Sequence, residues 1–131
     1  IFQSMHFGPE FINFSRQDPK NKENVDNFVW TPNTGWHGPK IVKLSGGGKL
    51  EDNLFNIDDV NWDAIPVFIA ETEKLAKENG IEKASLGSSI MINFNVRKQT
   101  LSFSATVKGE RKDAYSTGDV QTGKVTNFRV K

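Results

Sequence analysis

Two histidines, His6 and His37, are the only imidazoles in the chain, and it contains no cysteine. A zinc site would have to be built largely from carboxylates, against the metal's usual preference for thiolate and imidazole. Asp59-Val60-Asn61-Trp62-Asp63 places oxygen donors at alternate positions, as the opening of a calcium loop does. The sixth position is Ala64, where that loop needs glycine, and the twelfth is Ala70, where it needs a bidentate glutamate. The pattern excludes an EF-hand. Ser45-Gly46-Gly47-Gly48-Lys49 lacks the Gly-Lys-Ser/Thr ending of a phosphate loop and no helix follows it at once, so it reads as a connector. Glu51, Asp52, Asp58 and Asp59 are close enough in sequence to form a carboxylate pair for acid–base work, but acids in a loop are ordinarily solvated. Nucleophilic catalysis needs a serine held beside a base, and no spacing brings one to His37. The residues assign no catalytic group, no metal and no cofactor.

Recognition is better served. Trp30, Trp36 and Trp62 are large anchors, and Asn33-Thr34-Gly35-Trp36-His37-Gly38-Pro39 sets one of them in a loop bounded by glycine and proline. Such a tryptophan offers much contact area at low entropic cost. At the far end of the chain, Lys108, Arg111, Lys112, Lys124 and Arg129 lie at the ends of expected strands. The candidate binding residues are therefore Trp30, Trp36, His37, Arg111 and Lys112. RNA recognition on a sheet would call for stacking aromatics on its open face, whereas the alternation there shows Ser, Asn, Met and Thr. A nucleic-acid partner is not expected.

Composition agrees with a small globular domain. The 131 residues carry a net charge of +1, so no global field draws in nucleic acid or anionic lipid. Charge is unevenly spread: residues 46–80 balance to −5 and residues 81–131 to +5. No apolar run approaches the length of a membrane span. The absence of cysteine leaves the redox compartment unread. Ile1-Phe2-Gln3-Ser4-Met5 resembles the remnant of a protease-cleavable tag, with Ile where such tags carry Tyr, and is expected to lie outside the fold. The remainder, 6–131, is expected to be one domain.

The elements that must position these residues fall into two parts. Residues 6–38, with Pro9, Pro19 and Pro32 and a polar stretch from Ser15 to Asn24, read as an irregular arm. Its apolar patches, Phe11-Ile12-Asn13-Phe14 and Phe28-Val29-Trp30, are expected to drape over the core or a partner. Pro39 to Leu44 is one short extra strand. A helix is expected from Asp63, its preferred N-cap over Asn61, to Asn79, with Ile65, Phe68, Ile69, Thr72, Leu75 and Ala76 in one apolar stripe. Gly80 and Ile81 end it. The hydrophobic period then drops to two. Leu86, Ser88, Ile90, Ile92, Phe94 and Val96 share a face, and Leu101, Phe103, Ala105 and Val107 follow after a turn. A weaker third strand, Ala114–Val120, and a fourth, Lys124–Val130, complete an up-and-down meander. The expectation is an α+β fold: one main helix packed on a four-stranded antiparallel sheet over 57–131.

The order of helix then meander, entered through Asn61-Trp62-Asp63-Ala64-Ile65-Pro66 and closed by Asn79-Gly80-Ile81, resembles the small bacterial domains called PepSY-like and the single repeat of the β-lactamase-inhibitor-protein fold. The resemblance covers residues 57–131. It implies an exported, periplasmic or secreted, non-enzymatic domain that binds or inhibits another protein, and it carries over no site residue. The leading expectation is thus an interaction module using either the polar sheet face or the Trp36–His37 loop. The rivals are a small-ligand carrier with a cavity among Phe68, Phe94 and Phe103, and a structural part of a larger envelope assembly.

Overall fold

The computed structural model describes residues 1–131, the side chains of residues 87 and 88 excepted. Eight strands form one antiparallel sheet: β1 (Ser4–Gly8), β2 (Phe11–Gln17), β3 (Val25–Thr31), β4 (Gly35–Ile41), β5 (Ser85–Asn95), β6 (Thr100–Lys108), β7 (Ala114–Asp119) and β8 (Val125–Val130). A single α-helix, α1 (Ala64–Glu78), lies between β4 and β5 in sequence. The strand order is β4-β3-β2-β1-β5-β6-β7-β8. Two four-stranded meanders therefore meet edge to edge where β1 pairs antiparallel with β5.

This overturns the expected architecture. The protein is mostly antiparallel sheet with one helix, not an α+β fold of one helix on four strands. Residues 6–38 are no irregular arm; with Met5 and its neighbours they make the first meander. The prolines that suggested irregularity sit at or beyond strand ends. Pro9 and Glu10 form the two-residue loop between paired Gly8 and Phe11. Pro32 opens a three-residue loop between paired Thr31 and Gly35, and Gly35 has φ of 71°, as a bulged hairpin of this length requires. Pro19 lies in the β2–β3 loop. The short extra strand expected at 39–44 coincides with the end of β4 only at 39–41; β4 starts earlier and stops at Ile41. Residues 1–5 also belong to the fold. Phe2 bridges Leu54, Ile1 packs on the core, and its α-amine donates to the Phe55 carbonyl at 2.8 Å. Burial there pushes the amine below its ordinary pKa.

α1 lies over the second meander, and its flank residues Ile65 and Ile69 border Phe7 of β1. Ala64, Phe68, Thr72 and Ala76 are buried, with Ile65, Ile69 and Leu75 half-buried beside them. Phe68 meets Phe103 with ring centroids 5.5 Å apart, and both are fully buried. Helix and sheet come close because β7 presents small residues. Gly118 lies directly under the Phe68 ring, and Ser116 shares a hydroxyl hydrogen bond with Thr72 at 2.9 Å. The entrance differs in detail from expectation: the Asp63 side chain makes no cap bond, and the Asn61 side chain instead accepts from the Asp63 N–H at 3.2 Å. The exit is a Schellman turn. Gly80, at φ 70°, donates to the Lys77 carbonyl and Ile81 donates to the Ala76 carbonyl. Ile81 then packs with Ala76, Val107 and Ala114.

β5 carries a register shift against β6 between Leu86 and Ile90. From Ile90 to Phe94 its alternation is regular: Ile90 and Ile92 are buried under α1 and Phe94 packs beside them. The expected inward placement of Ser88 lies outside the described residues.

Candidate functional site: an aromatic half-sheet

Strand register carries the helix-side face across the whole sheet. Ile90 and Ile92 on β5 oppose Phe7 and Met5 on β1. These oppose Ile12 and Phe14 on β2, which in turn oppose Trp30 and Phe28 on β3. Trp30 opposes Trp36 on β4. Side chains alternate across a strand, so all of these point to the side on which α1 lies. The helix lies over Ile90 and Ile92, its flank residues Ile65 and Ile69 border Phe7, and β2–β4 lie further out in the sheet. The first meander thus presents a layer of Ile12, Phe14, Phe28, Trp30 and Trp36, half-buried except for the exposed Trp36, while Phe7 at its inner border packs against the core and Trp62.

These side chains are ordered among themselves. Phe14 stacks on Phe28 at 5.6 Å between centroids, and the Trp36 ring meets Phe14 edge-on at 5.8 Å. Arg16 lays its guanidinium over Phe28, 4.8 Å from the ring centre. Trp36 is nonetheless 57% exposed and Ile41, further along β4, 86% exposed. Trp62, at the helix entrance, is 45% exposed and meets Phe7 edge-on at 5.9 Å. All three tryptophans of the chain therefore border one surface. Where this surface meets the flank of α1 there is an open apolar cleft of about 310 Å³ lined by Phe7, Pro9, Ile65, Ile69, Leu86 and Ile90.

Charge on this face is balanced and sparse. Arg16 on β2 opposes Asp26 on β3. An apolar surface with one cation and one anion suits a protein partner better than a phosphate-rich polymer, which calls for several cations. The opposite face is mixed: Phe11, Val25 and Val29 share it with Asn13, Ser15 and Asn27, whose side-chain amide donates to Asn13 Oδ1, Ser15 Oγ and the Phe14 carbonyl at 2.9–3.0 Å.

The candidate residues read from the sequence separate into three places. Trp30 and Trp36 are brought together as a cross-strand pair. His37, the next residue along β4, points to the opposite face, where its ring bonds Thr34 Oγ1 at 2.7 Å. The Trp36–His37 segment is a strand, not a loop, and the two side chains cannot act on one ligand. Arg111 and Lys112 lie in the β6–β7 turn, five strand steps or ~24 Å from β4. Lys112 Nζ sits beside Gly80, where a cation offsets the helix C-terminal dipole. That turn is pinned by Asp113, which accepts from Lys108 Nζ at 3.1 Å and the Gly109 N–H at 3.2 Å; these donors, the lysine first, hold its carboxyl below the usual range.

The suggested ligand cavity among Phe68, Phe94 and Phe103 is filled. Phe68 and Phe103 pack on each other, and Phe94 turns to Phe55 at 5.7 Å. Among the described residues, no three His, Asp or Glu side chains are placed to share a metal ion, and no helix is long and apolar enough to cross a membrane. The sequence reading missed Phe7, Ile12, Phe14, Arg16, Asp26 and Phe28 as members of one surface. The signal was present as apolar residues two apart at 5/7, 12/14 and 28/30. No family model, no curated protein and no solved structure matches this chain.

Proposed function

We propose that this protein is a non-enzymatic protein-interaction module whose contact surface is the helix-side face of β1–β4. The observation that carries this reading is the uncovered aromatic layer. Aromatic residues, tryptophan above all, dominate the energetics of protein contacts when they cluster centrally and lose their water. Here they cluster beside a cleft and are held in place by each other. A contiguous apolar surface rimmed by polar residues marks an interaction site. A place in the cell envelope follows from the PepSY-like resemblance and is a separate expectation.

The test is a pull-down with immobilised chain from extracts of the source cell. The Trp36→Ser/Ile41→Lys variant changes two exposed side chains on the face, and Ser102→Ala on the polar face is the control. The expected result is capture by wild type and control and loss by the face variant. Equal capture by all three refutes the assignment.

A further inference from the structure

We propose that the occupant of this face is a second copy of the same chain, docked about a twofold axis running parallel to the strands between β2 and β3. This rests on the reading above and names its partner. Such an axis lays β4 of one copy over β1 of the other, and β3 over β2. It preserves position along the strands, so the register of one copy dictates what meets what. Trp36, Trp30, Ile12, Phe7 and Ile90 form one row across the sheet. Trp36 of each copy therefore arrives over Phe7 and Ile90 of the other, at the apolar cleft of about 310 Å³ beside Ile65 and Ile69. Trp30 meets Ile12, and Phe28 meets Phe14. Arg16 and Asp26 share another row. The same axis sets Arg16 of one copy against Asp26 of the other, twice.

The arrangement is closed, and the incoming Trp36 shares the place over Phe7 with Trp62, whose ring meets Phe7 edge-on. Stacked sheets sit ~10 Å apart, and a helix is ~10–12 Å across with its side chains. The second copy's sheet can thus lie in the same layer as α1, with its β4 edge against the helix flank. Each exposed β4 edge is covered by the other copy, which answers the hazard of an open edge. Four strands of about seven residues project to a footprint of ~450 Å². The accessible area of so corrugated a layer is larger, and the two edge-to-helix contacts add to it. The projected footprint alone is about half of the ~800 Å² per partner of a stable interface.

Sedimentation velocity and light scattering on the full chain read the outcome. The mass should rise with concentration from 14.7 kDa towards twice that value. Tryptophan emission should move to the blue over the same range as Trp30 and Trp36 lose water. Trp36→Ser should weaken association by at least about tenfold. Arg16→Asp and Asp26→Arg should each weaken it alone, since each sets like charges opposite one another. Mixing those two variants should restore it, because every contact in the mixed dimer pairs opposite charges. Rescue by mixing cannot come from repair of folding within one chain. A chain that stays monomeric into the high micromolar range overturns the second copy, as does a dimer indifferent to Trp36→Ser and to mixing. If the pull-down still depends on Trp36 and Ile41 in that case, the face stands and its occupant is another protein; if that dependence is also absent, the face assignment falls with it.

Discussion

The contact between Phe68 and Gly118 fixes how closely α1 approaches the sheet, and it makes a quantitative prediction. Phe68 is fully buried, so Phe68→Ala removes the transfer free energy of a whole aromatic side chain and leaves a cavity. The expected cost is about 3–5 kcal/mol. Gly118→Ala adds a methyl that would lie 2.7 Å from Phe68 Cε1 and closer still to Cδ1. Carbon atoms rest at ~3.5–4.0 Å, so the ring must move by roughly 1 Å in a packed core, at about 1–3 kcal/mol. In the double variant the offending ring is gone and the new methyl fills part of the hole. The two costs should therefore not add. The double variant should be more stable than the sum predicts by about 1–3 kcal/mol, the coupling expected of residues in contact. Urea unfolding followed by circular dichroism on all four proteins measures it. Additivity within about 0.5 kcal/mol would show that Gly118 is not what the Phe68 ring rests on, and the account of helix placement would fail.

Three further outcomes are expected. Thr72→Val should cost about 1–3 kcal/mol by stranding the Ser116 hydroxyl, while Thr72→Val with Ser116→Ala should recover part of it, as unfolding midpoints will show. Gly80→Ala should cost about 1 kcal/mol or more, because Gly80 holds φ at 70° to close the helix; a scan of melting temperature reads this, and no change would place the Schellman turn in doubt. Asp113 has its carboxyl pKa lowered in the folded state, so its bonds stabilise the fold above the ordinary carboxylate range and lose that effect as pH falls through the folded value. The stability gap between wild type and Asp113→Asn should accordingly be present at neutral pH and close under acid; a gap that widens under acid would contradict the assignment.

The second half of the fold was legible because its signals are local and repeated. The stripe of Ile65, Phe68, Thr72 and Ala76 fixes a helix face, and Leu101, Phe103, Ala105 and Val107 alternate without interruption. Gly80 and Ile81 mark the junction between the two rhythms. The first half was not legible as sheet because its strands are short and its alternation is diluted. In β2 the inward row Ile12, Phe14, Arg16 ends in a charge, and Phe11 puts an aromatic on the outward face. In β4 a register shift interrupts the pattern opposite Phe28. Prolines also resemble breakers in sequence, whereas Pro9 and Pro32 sit in hairpin loops. The site suffered from the same error. Trp36 and His37 are neighbours in sequence and would share a ligand on a loop, but on a strand they are separated by the thickness of the sheet. Conversely, Phe14 and Trp36 are 22 positions apart and touch. Only pairing register brings them together, and register is a long-range property.

The two halves of the sheet differ in a way that says what kind of layer each is built to receive. A twofold axis normal to the sheet between β1 and β5 relates one meander to the other and keeps the helix side on the same side. Beneath α1, β7 presents Ala114, Ser116 and Gly118 beside Ala105, with the larger Ile92, Phe103, Val107 and Phe128 standing around them and Phe103 reaching up to Phe68. Small residues let a helix backbone come close. At the matching places the first meander presents Ile12, Phe14, Phe28, Trp30 and Trp36. These stand taller, and a helix with the side chains of α1 could not settle onto them at the same height. Large side chains on a flat layer pack best by interdigitation with another such layer, as the inner faces of two aligned sheets do. The difference in side-chain size between the halves thus favours a sheet over a helix as the covering layer, and the sheet of matching row spacing and opposed charge that is always at hand is that of another copy of this chain.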